Sequence, residues 1–229
     1  MRETSVTSSS IRLIRSGLIE SMSERWVGVA RRIFADQFAV VDAYREILDN
    51  EGILWGMIGP RETDRLWDRH ILNSLCISPL IEEDSLVADL GSGAGLPGIP
   101  LAIYRPDLRV VLVEPMQRRV DFLTMCCERL NLSERVAIER VRGEDYRPSV
   151  VPDILTCRAL TSVPKLLDMV RPLLGSAELL AIKGERADQE VIEAQMDLQR
   201  VGLTADVLRT EAHGEALGTV IRIRRFPSS

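Results

Sequence analysis

The sequence predicts an α/β protein in which a mostly parallel sheet with helices on both faces follows a helical N-terminal extension. Three observations carry this reading. From residue 85 onward, short apolar runs alternate with helical stretches, the pattern of strand–helix–strand units. Before residue 85, apolar residues recur at three- and four-residue spacing instead. A glycine-rich turn, GSGAGLPG at 91–98, follows the first apolar run, where such a strand would give way to a helix.

The elements follow in order. Residues 1–22 are rich in Ser, Thr and Arg and lack the apolar core of a secretory leader, so a flexible tail is expected there. Met22 opens MSERWVGVARRIF and is a second candidate translation start. Residues 23–84 form the helical extension. Val29, Ile33, Phe34, Ala39, Val40, Ala43, Ile47 and Leu48 carry the helical spacing through 23–56. GMIGPRE interrupts it, and TDRLWDRHILNSLCI resumes it with Leu66, Trp67, His70, Ile71, Ser74 and Leu75, capped by Thr63 or Asp64. Residues 85–229 form the α/β domain. SLVADL, RVVLVEP, RVAIERV, DILTCRAL and AELLAIKG read as strands. GIPLAIYRP, MQRRVDFLTMCCERLNL, VPKLLDMVRPLL and RADQEVIEAQMDLQRVG read as the helices that connect them. LTADVLRT and TVIRIRRF close the chain as two further strands. The EAHGEALG link between them is too short for a crossover helix, so these two should pair antiparallel.

Composition narrows the function. The chain has 229 residues, enough for one good-sized domain with a helical appendage. No apolar run reaches the roughly 18 residues of a membrane span. The net charge of −5 is unlike that of a protein gripping bare nucleic acid over a long footprint. An RNA role would rest on local patches: Arg65, Arg69 and His70; Arg118 and Arg119; or Arg222, Arg224 and Arg225. Aromatics at 4% exclude an extended base-stacking platform. Cys76, Cys126, Cys127 and Cys157 form no Cys-x-x-Cys pair and have no histidine at ligand spacing, which points to reduced thiols, a cytoplasmic chain and no metal. Cys157 reads as a packing residue.

The glycine turn narrows it further. Gly93, Gly95 and Gly98 match Gly-x-Gly-x-x-Gly, but the match begins two residues too late after the strand for a dinucleotide site. The alternative is Asp-x-Gly-x-Gly-x-Gly: Asp89, Gly91, Gly93 and Gly95. A strand-end carboxylate would repel a pyrophosphate. It would attract an ammonium or sulfonium by roughly 1–4 kcal/mol at about 4 Å. Glycines let the backbone approach a ligand with no Cβ in the way. S-adenosyl-L-methionine carries both cations. Glu114 ends the next strand, where a carboxylate can accept two ribose hydroxyls. Gly143 and Glu144, after the third strand, could face an adenine.

RHILNS at 69–74, DLGSGAGLPGIPLAIYRPD at 89–107, RRVDFL at 118–123, CRAL at 157–160 and IKG at 182–184 resemble the RsmG/GidB family. Those are bacterial guanine-N7 methyltransferases of small-subunit (16S) ribosomal RNA. The resemblance covers roughly residues 40–225. It implies a class I S-adenosylmethionine-dependent methyltransferase fold, with a Rossmann-like, mostly parallel seven-stranded sheet and an antiparallel last strand. It also implies a small-subunit rRNA or small ribosomal subunit as target. Asp89, Gly91, Ser92, Gly93, Gly95, Leu96, Glu114, Gly143 and Glu144 would hold the cofactor. Arg158 and Lys183 would be the catalytic-site cations, with Arg142 and Arg69 toward the RNA and His70 either toward the RNA or in a structural hydrogen bond on its helix, whose other face is apolar. The segment LWGMIGPRE at 54–62 departs from the Asn-Leu-Thr run of many members.

Guanine N7 already holds an in-plane lone pair, so methyl transfer by in-line displacement needs no general base. Rate would come from alignment and from holding an exposed base. The methylated ring is cationic, so Arg158 and Lys183 should meet phosphate, O6 or a carbonyl dipole and not N7 itself. A monomer is expected. Two other readings stay open: a small-molecule methyltransferase and a non-catalytic cofactor-binding module.

Overall fold

A computed structural model describes residues 24–158, 161–174 and 177–226; the expected tail and the candidate start at Met22 lie outside the described residues. Helix α1 spans 24–34 and α2 spans Phe38–Ile47. A turn of 3-10 helix, Ala35–Gln37, joins them, with Ala35 in a left-handed conformation at φ 45. That break resets the helical phase. Val29, Ile33 and Phe34 face inward on α1, but on α2 the inward residues are Val41, Tyr44 and Ile47, while Ala39 and Ala43 are exposed. The helical reading of this stretch holds, but Ala39 and Ala43, counted in its apolar spacing, lie off the buried face.

Residues 63–80 form a second helical run: a turn at Thr63–Arg65, a wide π-type segment at Leu66–Leu72, and a 3-10 segment at Leu75–Leu80. Neither expected cap operates through its side chain at its start. The Thr63 hydroxyl instead donates to the Pro60 carbonyl at 3.4 Å.

The sheet contains β1 (Leu86–Leu90), β2 (Arg109–Val113), β3 (Val136–Glu139), β4 (Ile154–Arg158), β5 (Glu178–Lys183), β6 (Leu203–Ala212) and β7 (Glu215–Arg225). Its order is β3-β2-β1-β4-β5-β7-β6. The first five strands are parallel; β7 runs antiparallel between β5 and β6. The final hairpin is tighter than EAHGEALG suggested. Ala212 pairs with Glu215, and the turn is His213 and Gly214 alone, at φ 52 and 76. Two left-handed residues match the right-handed twist of the flanking strands.

Helices α3 (Gly98–Tyr104), α4 (Gln117–Arg129), α5 (Val163–Val170) and α6 (Ala187–Arg200) complete the two outer layers. Alternate residues of β1 serve the two faces: Val87 joins the cluster of α3, α4 and the N-terminal helices, while Ala88 and Leu90 join that of α5 and α6. Each fully buried leucine or phenylalanine, such as Leu101 or Phe122, contributes about 1.5–3 kcal/mol. The N-terminal helices share one cluster with a sheet face, so they are anchored where the strand carboxyl ends open. Strand order reverses between β1 and β4, and in open α/β sheets that switch point is where ligands bind.

Candidate active site

The loop after β1 is held from three sides. The Gly91 and Ser92 N–H groups donate to the Val113 carbonyl of β2 at 2.8 and 3.2 Å. The Ser92 hydroxyl donates to the Asp89 carbonyl at 2.8 Å. From α2, the fully buried Tyr44 hydroxyl donates to the Ala94 carbonyl at 2.8 Å. Gly91, Gly93 and Gly95 all take left-handed φ, at 72, 58 and 96, as the predicted sharp bend requires. They do so for different reasons. A Cβ on Gly93 would meet only the Gly91 carbonyl at 3.9 Å, so its outer side is open to a ligand. A Cβ on Gly95 would lie 2.4 Å from Ile99 Cδ1, so that glycine serves helix packing. Leu96 and Ser92 are buried inside the loop.

Asp89 is wholly buried. Its Oδ2 accepts the Gly98 N–H at 3.0 Å, at the start of α3. Among the described residues its Oδ1 has no partner. Burial pushes the carboxyl up to about 7, against the Gly98 N–H and the nearby Arg158 charge, which favour ionisation. An unpartnered buried carboxylate oxygen under an open glycine fits a ligand that brings a cation. Glu114, also buried, accepts from Gly93 N–H at 3.1 Å, from Met116 N–H at 3.0 Å and from Arg119 at 3.4 Å. It thus staples the glycine loop to the end of β2. Gly143 opens a single 3-10 turn, and a Cβ there would meet Met169 Sδ at 2.6 Å. Glu144 and Arg142 are exposed on either side of it.

Beside the loop lies an open cleft of about 980 Å³ between the 63–72 helix and the start of α6, with Arg158 and Lys183 at the ends of β4 and β5. Among the described residues Arg158 pairs with no carboxylate. Its Nη1 donates to the Arg69 carbonyl at 3.1 Å and its Nη2 to His70 Nδ1 at 3.0 Å. The other ring nitrogen, Nε2, lies 2.8 Å from Glu62 Oε2. Burial, reinforced by the Arg158 charge, holds His70 below the usual histidine range despite Glu62. Lys183 is enclosed, its Nζ donating to Glu190 at 2.7 Å and to the Thr161 carbonyl at 2.5 Å.

The strand ends therefore bring Asp89, Glu114, Arg158 and Lys183 together, and the 63–72 helix adds Arg69 and His70. Of the two roles open to His70, the structure shows the hydrogen-bonded one and not the RNA contact: it is buried and commits both ring nitrogens inside the protein. Arg142 does not line the cleft. Asp68 pairs with Arg65 at 3.0 Å and not with its neighbour Arg69, which faces Glu62 at 3.8 Å. The other two basic patches are structural. Arg118 donates to the Trp55 carbonyl and Arg119 to Glu114, while Arg222 and Arg224 share Asp206 at 3.2 and 3.3 Å. Cys157 is buried and pushed up to about 12, as suits a packing thiol. Tyr44, Glu62 and Glu190 escaped the sequence reading. Each acts across a turn or a long chain separation, and none lies in a motif. Only their placement in the fold marks them. Among the described residues no cluster of three or more possible metal ligands occurs, and no helix is long and apolar enough to cross a membrane.

The family model of GidB, rRNA small subunit methyltransferase G, matches residues 37–214. The chain belongs to this family. Proteins named ribosomal RNA small subunit methyltransferase G agree with it closely. That of Kineococcus radiotolerans is 42% identical over 90% of this chain and 82% of its own length. That of Thermobifida fusca is 46% identical over 79% and 76%. TYW2 of M. jannaschii, solved in complex with AdoMet, is similar in fold, with a TM-score of 0.53 at 17% identity over 69% of this chain and 76% of that one. TYW2 of P. horikoshii, solved with MeSAdo, gives the same TM-score and identity over 69% and 63%. At such identity these two bear on the fold alone, which is that of class I methyltransferases. In this GidB-family chain the LWGMIGPRE segment, where the family run differs, ends in Glu62, the partner of His70.

Proposed function

We propose that this chain transfers a methyl group from S-adenosyl-L-methionine to guanine N7 of small-subunit (16S) ribosomal RNA. One observation carries the reading: a buried strand-end carboxylate with one oxygen unpartnered, leading into an open glycine turn, adjoins a cleft on which an arginine pairs with no acid among the described residues. When bound, the cofactor supplies an electrophilic methyl group on a sulfonium.

The chain's own residues do the rest. Asp89 supplies the counter-charge, and its ionisation is favoured once a cation lies near. Gly91 and Gly93 admit close approach. Glu114 has about four lone-pair directions, so ribose hydroxyls can join or replace its loop contacts. Gly143 and Glu144 stand at the third strand end, toward the base. Arg158 orients the target through phosphate, O6 or a carbonyl dipole. Lys183, tied to Glu190, sets the cleft wall. No residue needs to remove a proton, because N7 has its own lone pair. Both nitrogens of His70 are already engaged, which agrees with that chemistry. Arg65, Arg69 and Arg142 are the exposed cations for RNA phosphate.

The experiment is methyl transfer from labelled cofactor to small ribosomal subunits from a strain lacking this gene, with the modified nucleotide mapped, against metabolite extracts as the alternative acceptor. Label on a single guanine N7 of 16S rRNA is the expected result. Label only in metabolites, or in neither, overturns the proposal.

A further inference from the structure

We propose that Glu62 and His70 are positioning residues for Arg158: Glu62 holds His70 in its Nε2–H form, which leaves Nδ1 as the acceptor that orients the Arg158 guanidinium on the cleft. This rests on the reading that Arg158 meets the methyl acceptor.

A guanidinium has five N–H donors and no acceptor. A ring nitrogen 3.0 Å from Arg158 Nη2 must therefore be unprotonated. Neutral imidazole carries its proton on the other nitrogen, and there Glu62 Oε2 waits at 2.8 Å. The Arg69 carbonyl takes Nη1 at 3.1 Å, so both terminal nitrogens of the fork are fixed by consecutive residues of one helix. Glu62 is brought back toward this helix by the GPRE turn, where the Glu62 N–H donates to the Gly59 carbonyl at 2.9 Å.

Protonation of Nδ1 would remove the acceptor and set two cations against each other. Other groups face the pair: Tyr44 from α2, Cys76 from the 75–80 segment, Asp89 from β1, and Arg69 on the same helix as His70. Asp89, raised to about 7, also titrates within the pH range of such an assay. A variant of His70 that leaves Asp89 in place separates the two.

Two measurements on the full, untagged chain decide the matter. The protein has only two histidines, His70 and His213. Long-range proton–nitrogen spectra of the ¹⁵N-labelled wild type therefore give two imidazole patterns, and the one lost in His70→Asn belongs to His70. It is expected to be neutral and Nε2–H, and to stay so below the usual histidine range. An Nδ1–H pattern overturns the proposal without any variant having to fold.

The second measurement is kcat and KM for methyl transfer to small ribosomal subunits between about pH 5.5 and 8.5. His70→Ala should lower kcat about tenfold or more with KM changed little, as misplacement of a reacting-site group does. His70→Asn presents Oδ1 where Nδ1 was; it should recover part of that loss and lack the wild-type fall on the acid side. Glu62→Gln keeps an acceptor for Nε2–H but removes a charge that favours protonation, so the acid-side fall should move to lower pH. An acid-side fall unchanged in both variants, with wild-type thermal melting, overturns the proposal. If the wild type itself transfers no methyl to subunits, the proposed function falls, while the spectra still decide the hydrogen-bond chain.

Discussion

At the scale of single residues, the site combines two charges under opposite constraints. Arg158 is a cation whose only described partners are a carbonyl and a neutral ring, so its charge is available to the cleft. Arg158→Ala should lower methyl transfer by about 100-fold or more, while calorimetry finds cofactor affinity within a few-fold. Equal loss of both would move Arg158 into the cofactor site. Asp89 is the reverse case, an acid whose burial raises it from 3.8 to about 7. The folded chain therefore holds a proton there that the unfolded chain has lost, and ionisation weakens the fold as pH rises from about 4 through 7. Asp89→Asn retains an acceptor for the Gly98 N–H and removes this cost. In denaturant titrations without cofactor it should be more stable than wild type at pH 8, by up to about 4 kcal/mol, with the gain shrinking toward pH 5. Calorimetry should find its cofactor affinity reduced. Unchanged affinity would refute the counter-charge role.

At the scale of elements, the glycine loop depends on a helix far away in sequence. Tyr44 on α2 reaches 50 residues along the chain to the Ala94 carbonyl. Tyr44→Phe removes one buried hydrogen bond, worth about 1 kcal/mol. Melting should fall by about 2–4 °C, and cofactor binding should weaken severalfold as the loop loosens. Loss of stability with full affinity would make α2 mere packing. At the other end of the sheet, β7 is inserted between β5 and β6, and the Asn73 side chain donates to its Leu217 carbonyl at 2.9 Å. The same helical run carries Arg69 and His70, so this contact fixes the cleft wall to the sheet.

For the whole molecule, net charge opposes RNA, and the cleft lining balances five Arg and Lys cations with five carboxylates, so RNA binding would rest on individual arginines. The chain carries −5 overall, yet Arg65 and Arg69 line one side of the cleft and Arg186 the other. The kcat/KM for subunits should fall as salt rises. Arg69→Ala should flatten that dependence by about one unit of log–log slope if Arg69 meets a phosphate. An unchanged slope would remove it from the interface.

Local chemistry was legible in the sequence. Asp89, the glycine bend and Glu114 announce themselves because backbone reversal and strand termination are decided within a few residues, and the parallel sheet follows from alternating periodicities. What the fold alone decided is which groups meet. His70 had two roles open to it, and its partners Glu62 and Arg158, which take its two nitrogens, were not legible in the sequence. Two of the three arginine patches looked available until Asp206, Glu114 and the Trp55 carbonyl claimed them. Sequence specifies a side chain's chemistry and its element. Whether that chemistry is spent inside the protein or offered to a ligand depends on neighbours distant in the chain, and only packing brings them within hydrogen-bond reach.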